Sequence, residues 1–187
     1  MKTYGHFIHG KEIPASSGET FPSYAPMTGE VIAHAARGTA ADVETAVTSA
    51  RKGFLYWSSL PPAERENIML KCADQVEAQY DRLLNLLIDE SGSTIVKAKY
   101  EVLYTASVLR AAAGEVCRLY ADTLPNEKPH RLSMVIREPV GVVLTISPFN
   151  APLVLLAKML VFPLAGGNAV IAKPSEETPM IAVELAK

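Results

Sequence analysis

Cysteine is scarce in this chain. Only Cys72 and Cys117 occur, both in stretches with helical spacing, so no disulfide framework and no cysteine metal site is available. An excess of charge is also missing. The 18 Lys and Arg against 20 Asp and Glu leave a net charge of −2, which excludes the electrostatic footprint of a nucleic-acid or anionic-membrane binder. No apolar run approaches the length of a membrane span, and the opening "MKTYGHFIHGKE" lacks the apolar core of a signal peptide. The expectation is a soluble, cytoplasmic protein. His6, His9, His34 and His130 are scattered without ligand spacing, so no metal site is expected. The G-x-G-x-x-G loop of many dinucleotide-binding proteins is absent as well.

What is present is apolar. Hydrophobic residues make up 49% of 187, above what a disordered chain tolerates and enough for one domain or part of a larger one. The first 36 residues alternate short apolar stretches with Gly, Pro and Ser, which reads as strands and turns. Helical periodicity follows. Asp42 is placed to cap a helix whose stripe runs Val43, Ala46, Val47, Ala50, Phe54, Trp57. "LPPAERENIMLKCADQVEAQ" starts a second with proline and returns Ile68, Cys72 and Val76 to one face. "YDRLLNLLIDESG" is a third, stopped by Gly92. A long fourth carries Val102, Ala106, Leu109, Ala113 and Val116 as its core stripe.

The period then changes. Residues 121–138 hold a Pro-Asn turn signal and an alternation of Leu132, Met134 and Ile136, which predicts a two-stranded ribbon with one apolar edge. Beyond it come an apolar strand (Gly141 to Ile146), a helix (about Leu153 to Leu164), Gly166-Gly167, a second strand (Asn168 to Ala172), and a helix announced by Thr178-Pro179. Strand, helix, strand, helix defines a βαβ unit in an α/β protein with a parallel sheet covered on both faces. Two parallel strands alone would leave edges and a face bare, so the expectation is a part of a longer protein.

Ligands of open parallel sheets bind at the carboxyl ends of the strands. "SPFN" and "KPSEE" occupy such ends on consecutive strands, which gives Asn150, Lys173 and Glu176 a shared location. Each has a bland alternative. Asn150 can form an Asx turn or cap the next helix, Lys173 can be a solvated strand end, and Glu176 an early-helix carboxylate favoured by the dipole.

Several stretches together resemble the aldehyde dehydrogenase superfamily. The carriers are "REPVGVVLTISPFNAPL", "FPLAGGNAVIAKPSEETP", "APMTGEVIAHAARGTAADVETAVTSARKGFLYWSSLPPAERENIM" and "DESGSTIVKAKYEV", which cover nearly the whole chain. "SGSTIVKAKYEV" and "LPNEKPHRLSMVIREP" are more similar to the aromatic-aldehyde branch (benzaldehyde, vanillin, salicylaldehyde). The resemblance implies an incomplete dehydrogenase fold. Residues 1–120 would be N-terminal strands and the helical part of the cofactor domain, 121–138 an oligomerisation ribbon, and 139–187 the first βαβ portion of a Rossmann-like domain, with the catalytic domain absent.

The resemblance also implies roles. Asn150 matches the oxyanion-hole asparagine, and Lys173 and Glu176 match the residues that bond the adenine ribose of a dinucleotide, with Pro174 and Ser175 between them. Ile146, Ser147, Pro148 and Phe149 would line the nicotinamide-ribose end. A carboxylate at Glu176 favours NAD over NADP, without excluding the latter. The family's cysteine nucleophile and general-base glutamate have no counterpart here. Cys72 and Cys117, both upstream on apolar helical faces, cannot stand in and are expected to be structural thiols. The implied activity is oxidation of a small-molecule aldehyde to a carboxylic acid by a parent homo-oligomer, dimer or tetramer, with this chain alone inactive. The alternatives are a CoA-acylating or semialdehyde dehydrogenase, or a non-catalytic fragment acting only in subunit contact.

Overall fold

A computed structural model describes all 187 residues. The amino-terminal segment forms five short strands: β1 (Thr3–Tyr4), β2 (His6–Ile8), β3 (Lys11–Ile13), β4 (Thr20–Tyr24) and β5 (Val31–Ala36). β5 is central, with β1 parallel on one side and β4 antiparallel on the other. β2 and β3 make a separate hairpin through His9-Gly10. Both turn residues have positive φ (55° and 71°), as a twist-matched two-residue hairpin turn requires.

Four helices follow: α1 (Ala40–Ser59), α2 (Pro62–Ala78), α3 (Tyr80–Ser91) and α4 (Ile95–Val116). The cap of α1 is Thr39 rather than Asp42. Asp42 is its capping-box partner, accepting from Thr39 N (2.8 Å) and from Ser16 N (2.9 Å). Those N–H donors hold the Asp42 carboxyl at about 2. α3 ends at Gly92 in the left-handed region (φ 62°), as its position in the sequence predicts.

The core lies between α2, α3, α4 and the helix α5 (Pro152–Ala165). The predicted stripe of α4 is buried throughout. On α2 the buried face is Arg65, Met69, Ala73 and Val76, so Ile68 is only half-buried and Cys72 is exposed. The shift is one residue around the helix. Ala73, Ala106 and Ala113 lie fully buried where α2 meets α4, and their small side chains bring the helices close. On α1 the expected stripe is only half-buried, and Val43 is exposed.

An antiparallel ribbon, β6 (Asp122–Leu124) with β7 (Ser133–Val135), follows α4. Then come β8 (Val142–Ile146), α5, β9 (Ala169–Lys173) and α6 (Pro179–Ala186). β8 and β9 pair in parallel, from Val142 opposite Ala169 to Ile146 opposite Lys173. Asn168 ties their amino ends together. Its Oδ1 accepts from Gly141 N (3.0 Å) and its Nδ2 donates to Pro163 O (3.0 Å). Trp57 of α1 donates from Nε1 to Leu164 O (2.7 Å), fixing α1 to the end of α5. The expected cover on both faces is incomplete: Thr145 is buried, whereas Leu144 and Ile146 on the opposite face are each 62% exposed. No helix is long and apolar enough to cross a membrane.

Candidate functional site

The parallel register decides where the two motifs meet. Ile146 and Lys173 are opposite one another, and Ser147 N donates to Lys173 O (3.1 Å), so "SPFN" and "KPSE" leave the same end of adjacent strands. Ser147 and Ser175 are buried, Pro174 is half-buried, and Ile146, Pro148, Phe149, Asn150, Lys173 and Glu176 are exposed. Both motif segments therefore start from one rim of the β8–β9 pair. The buried serines anchor two turns whose other side chains face outward.

Asn150 lies two residues before the start of α5, yet its side chain makes no hydrogen bond to the protein. The cap position itself is Ala151, which has no side-chain acceptor, followed by Pro152. Neither the Asx turn nor the helix cap considered above uses this amide, so its two N–H donors are free. Lys173 Nζ and Glu176 Oε2 are 3.1 Å apart. Glu176's own backbone N–H and then Lys173 hold its carboxyl below the usual range. Glu176 lies in the turn before α6 rather than in the first turn of that helix. The rim thus offers an amide donor, an ammonium donor and a carboxylate acceptor, a set suited to a carbonyl oxygen and to sugar hydroxyls.

Two further residues escaped the sequence reading. Glu101 Oε2 accepts from Leu153 N (3.3 Å) and Val154 N (3.5 Å) at the start of α5. Glu90 accepts from Met180 N (2.5 Å) and Ile181 N (2.8 Å) at the start of α6. Thr178 occupies the predicted cap position of α6, but its hydroxyl is buried without a hydrogen bond, and Glu90 does the capping. A glutamate among apolar helix positions was the available signal, but it could not say which amides it would reach.

The cysteines lie elsewhere, and both are exposed rather than packed in the core. Cys117 donates from Sγ to Glu66 Oε2 (3.2 Å), and that carboxylate pushes its thiol pKa up. Partial burial does the same to Cys72. Both environments disfavour a thiolate. A concavity of about 580 Å³ is bounded by Arg65, Arg137, Pro139 and Gly166-Gly167 at the amino ends of the strands, away from the motif rim. No group of three or more His, Cys, Asp or Glu side chains converges as a metal site.

The aldehyde dehydrogenase family model matches residues 13–187. This chain belongs to the aldehyde dehydrogenase family. A vanillin dehydrogenase of Pseudomonas fluorescens is 35% identical over 174 residues, covering 93% of this chain and 36% of that protein. The solved structure of a salicylaldehyde dehydrogenase from Pseudomonas putida G7, complexed with salicylaldehyde, superposes with a TM-score of 0.95 at 34% identity, covering 99% of this chain and 38% of that one. The structure of PnpE in complex with nicotinamide adenine dinucleotide gives a TM-score of 0.94 at 33% identity, covering 97% of this chain and 37% of the other. The aldehyde dehydrogenase segment seen here thus spans a little over a third of these relatives.

Proposed function

We propose that this chain supplies the oxyanion donor and part of the cofactor site of an NAD-dependent enzyme that oxidises an aromatic aldehyde to its carboxylic acid. The observation that carries the reading is the uncommitted Asn150 amide on the same rim as the Lys173–Glu176 pair. Asn150 donates to the aldehyde oxygen and to the alkoxide that forms when a nucleophile adds to the carbonyl carbon. Ser147, buried beneath the turn, and the flanking Pro148 and Pro152 restrict the backbone that carries this donor. Lys173 Nζ and Glu176 Oε2 are adjacent and exposed, which fits a pair of ribose hydroxyls needing one donor and one acceptor. The bound dinucleotide supplies a hydride acceptor.

Glu176 bears on the choice of dinucleotide, because its carboxylate opposes a 2′-phosphate. Glu176→Ala is expected to shrink the preference for NAD over NADP, as a ratio of kcat/KM values, roughly tenfold. An unchanged ratio refutes the ribose role. The 187-residue chain alone is expected to make no NADH from NAD and benzaldehyde, because both thiols have raised pKa values and neither belongs to the rim. NADH above a no-protein control, abolished by Asn150→Ala, overturns this.

The ribbon is the proposed subunit contact. Met134 and Ile136 are 55% and 59% exposed, and Leu132, Val135 and Val140 add further exposed apolar surface. A two-stranded ribbon is marginal by itself in water and gains stability by packing on a neighbour. Replacing Met134 and Ile136 with lysine in the parent enzyme should lower the mass measured by light scattering. An unchanged oligomer of unchanged stability rules the contact out.

A further inference from the structure

We infer that Glu101 and Glu90, buried carboxylates on α4 and α3, are positioning residues that aim the Asn150 turn and the Lys173–Glu176 turn by capping the helices that follow them. This rests on the proposed roles of Asn150, Lys173 and Glu176.

The two helix starts are built alike. At α5 the cap residue is Ala151, without a side-chain acceptor, and at α6 it is Thr178, whose hydroxyl makes no bond. A proline comes next in each, which has no N–H to satisfy. The following two amides then need an acceptor in buried surroundings: Leu153 and Val154 in one helix, Met180 and Ile181 in the other. Each pair is met by one carboxylate brought in from more than 50 residues upstream. Glu101 is itself held by Lys97 Nζ (2.6 Å), which also bonds Ser93 Oγ (2.7 Å).

Glu101 and Glu90 are 1% and 2% exposed. Burying a carboxylate is costly, whereas a local Ser, Asp or Asn cap needs no such burial. The remote caps have a consequence that local ones lack. A cap supplied by Asn150 through its Oδ1 would turn that side chain back onto α5 and fix where its N–H donors point. With Glu101 in that role, Asn150 stays free while α5, beginning two residues later, is locked to α4. Likewise Glu90 locks α6 to α3, and α6 begins three residues after Glu176. The rim is referenced to the helical core through these two contacts.

The hydrogen-bond pattern makes the test specific. In Glu101 one oxygen takes both amides and the other takes Lys97 Nζ, so glutamine keeps the two amide bonds with its single oxygen but turns its NH2 toward the Lys97 ammonium. In Glu90 each oxygen takes one amide, so glutamine restores only one bond. In the full-length enzyme at about pH 8, with Glu90 ionised, Glu101→Leu should lower kcat roughly 10–100-fold with the KM for NAD little changed, and Glu101→Gln, which keeps the amide bonds but loses the Lys97 pair, should recover part of that loss. Glu90→Gln should raise the KM for NAD by about tenfold with kcat preserved at saturating NAD. A packing role predicts the opposite order, with leucine better tolerated than glutamine. Should the leucine variant not fold, the Glu90→Gln result stands by itself, and an unchanged KM overturns the inference. Asn150→Ala and Glu176→Ala are measured alongside. If those two lack their expected effects, the site reading fails. If they behave as expected while the glutamate variants change kcat and KM together, or change neither, the positioning inference fails.

Discussion

Replacing Asn150 with alanine in the parent dehydrogenase should lower kcat/KM for the aldehyde by roughly 10²–10³, equivalent to about 2.7–4 kcal/mol of transition-state stabilisation. Negative charge grows on the substrate oxygen as a nucleophile adds, and a fixed amide gains most at that moment. The loss should therefore fall on kcat, with NAD affinity by calorimetry little altered. A fall in NAD binding of similar size would mean that Asn150 holds the cofactor instead. Local structure should survive the change, because the Asn150 side chain bonds nothing in the protein and α5 is capped by Glu101. That separation of chemistry from folding makes the alanine variant readable.

The second large effect is on stability against pH. Burial pushes the Glu90 carboxyl from 4.5 up to about 7, against the pull of the Met180 and Ile181 amides. Below about pH 4.5 the group is protonated in both folded and unfolded chains. As pH rises from there to about 7, the unfolded chain ionises while the folded one keeps its proton, so stability falls. The loss is complete above that range and amounts to on the order of 3 kcal/mol. Urea unfolding of the wild-type chain and of Glu90→Gln at about pH 5 and about pH 8 measures it. The difference between the two proteins should shift in favour of glutamine by that amount at the higher pH. A difference independent of pH would show that Glu90 is ionised throughout, stabilised by the helix start more than burial opposes it.

The residues of α4 show how far periodicity reaches. A stripe of Val102, Ala106, Leu109, Ala113 and Val116 has the spacing of one helical face, and that face is buried. On α2 the same reasoning chose Ile68 and Cys72, while Met69 and Ala73 are buried, because several rotations of that helix offer comparable apolar content. Gly92 and the Pro-first starts of α2 and α6 were legible for a local reason: positive φ and a missing N–H belong to the residue itself. That the strands leading to the two motifs end side by side was legible too. Consecutive parallel strands joined by one helix must present their carboxyl ends side by side.

By itself, then, the sequence determined the order of elements, the α/β class, the shared rim of the two motifs and the family to which they belong. Only the tertiary structure decided that Glu101 and Glu90 cap α5 and α6, that Asp42 accepts from Thr39 and Ser16 while Thr39 is the cap of α1, and that both cysteines face outward. The division follows the range of the forces. Backbone preference and apolar spacing act over a few residues and leave their mark in the local pattern. A buried amide at a helix start must find an acceptor, but nothing in its neighbourhood says which distant carboxylate the packing of four helices will bring within 3.5 Å.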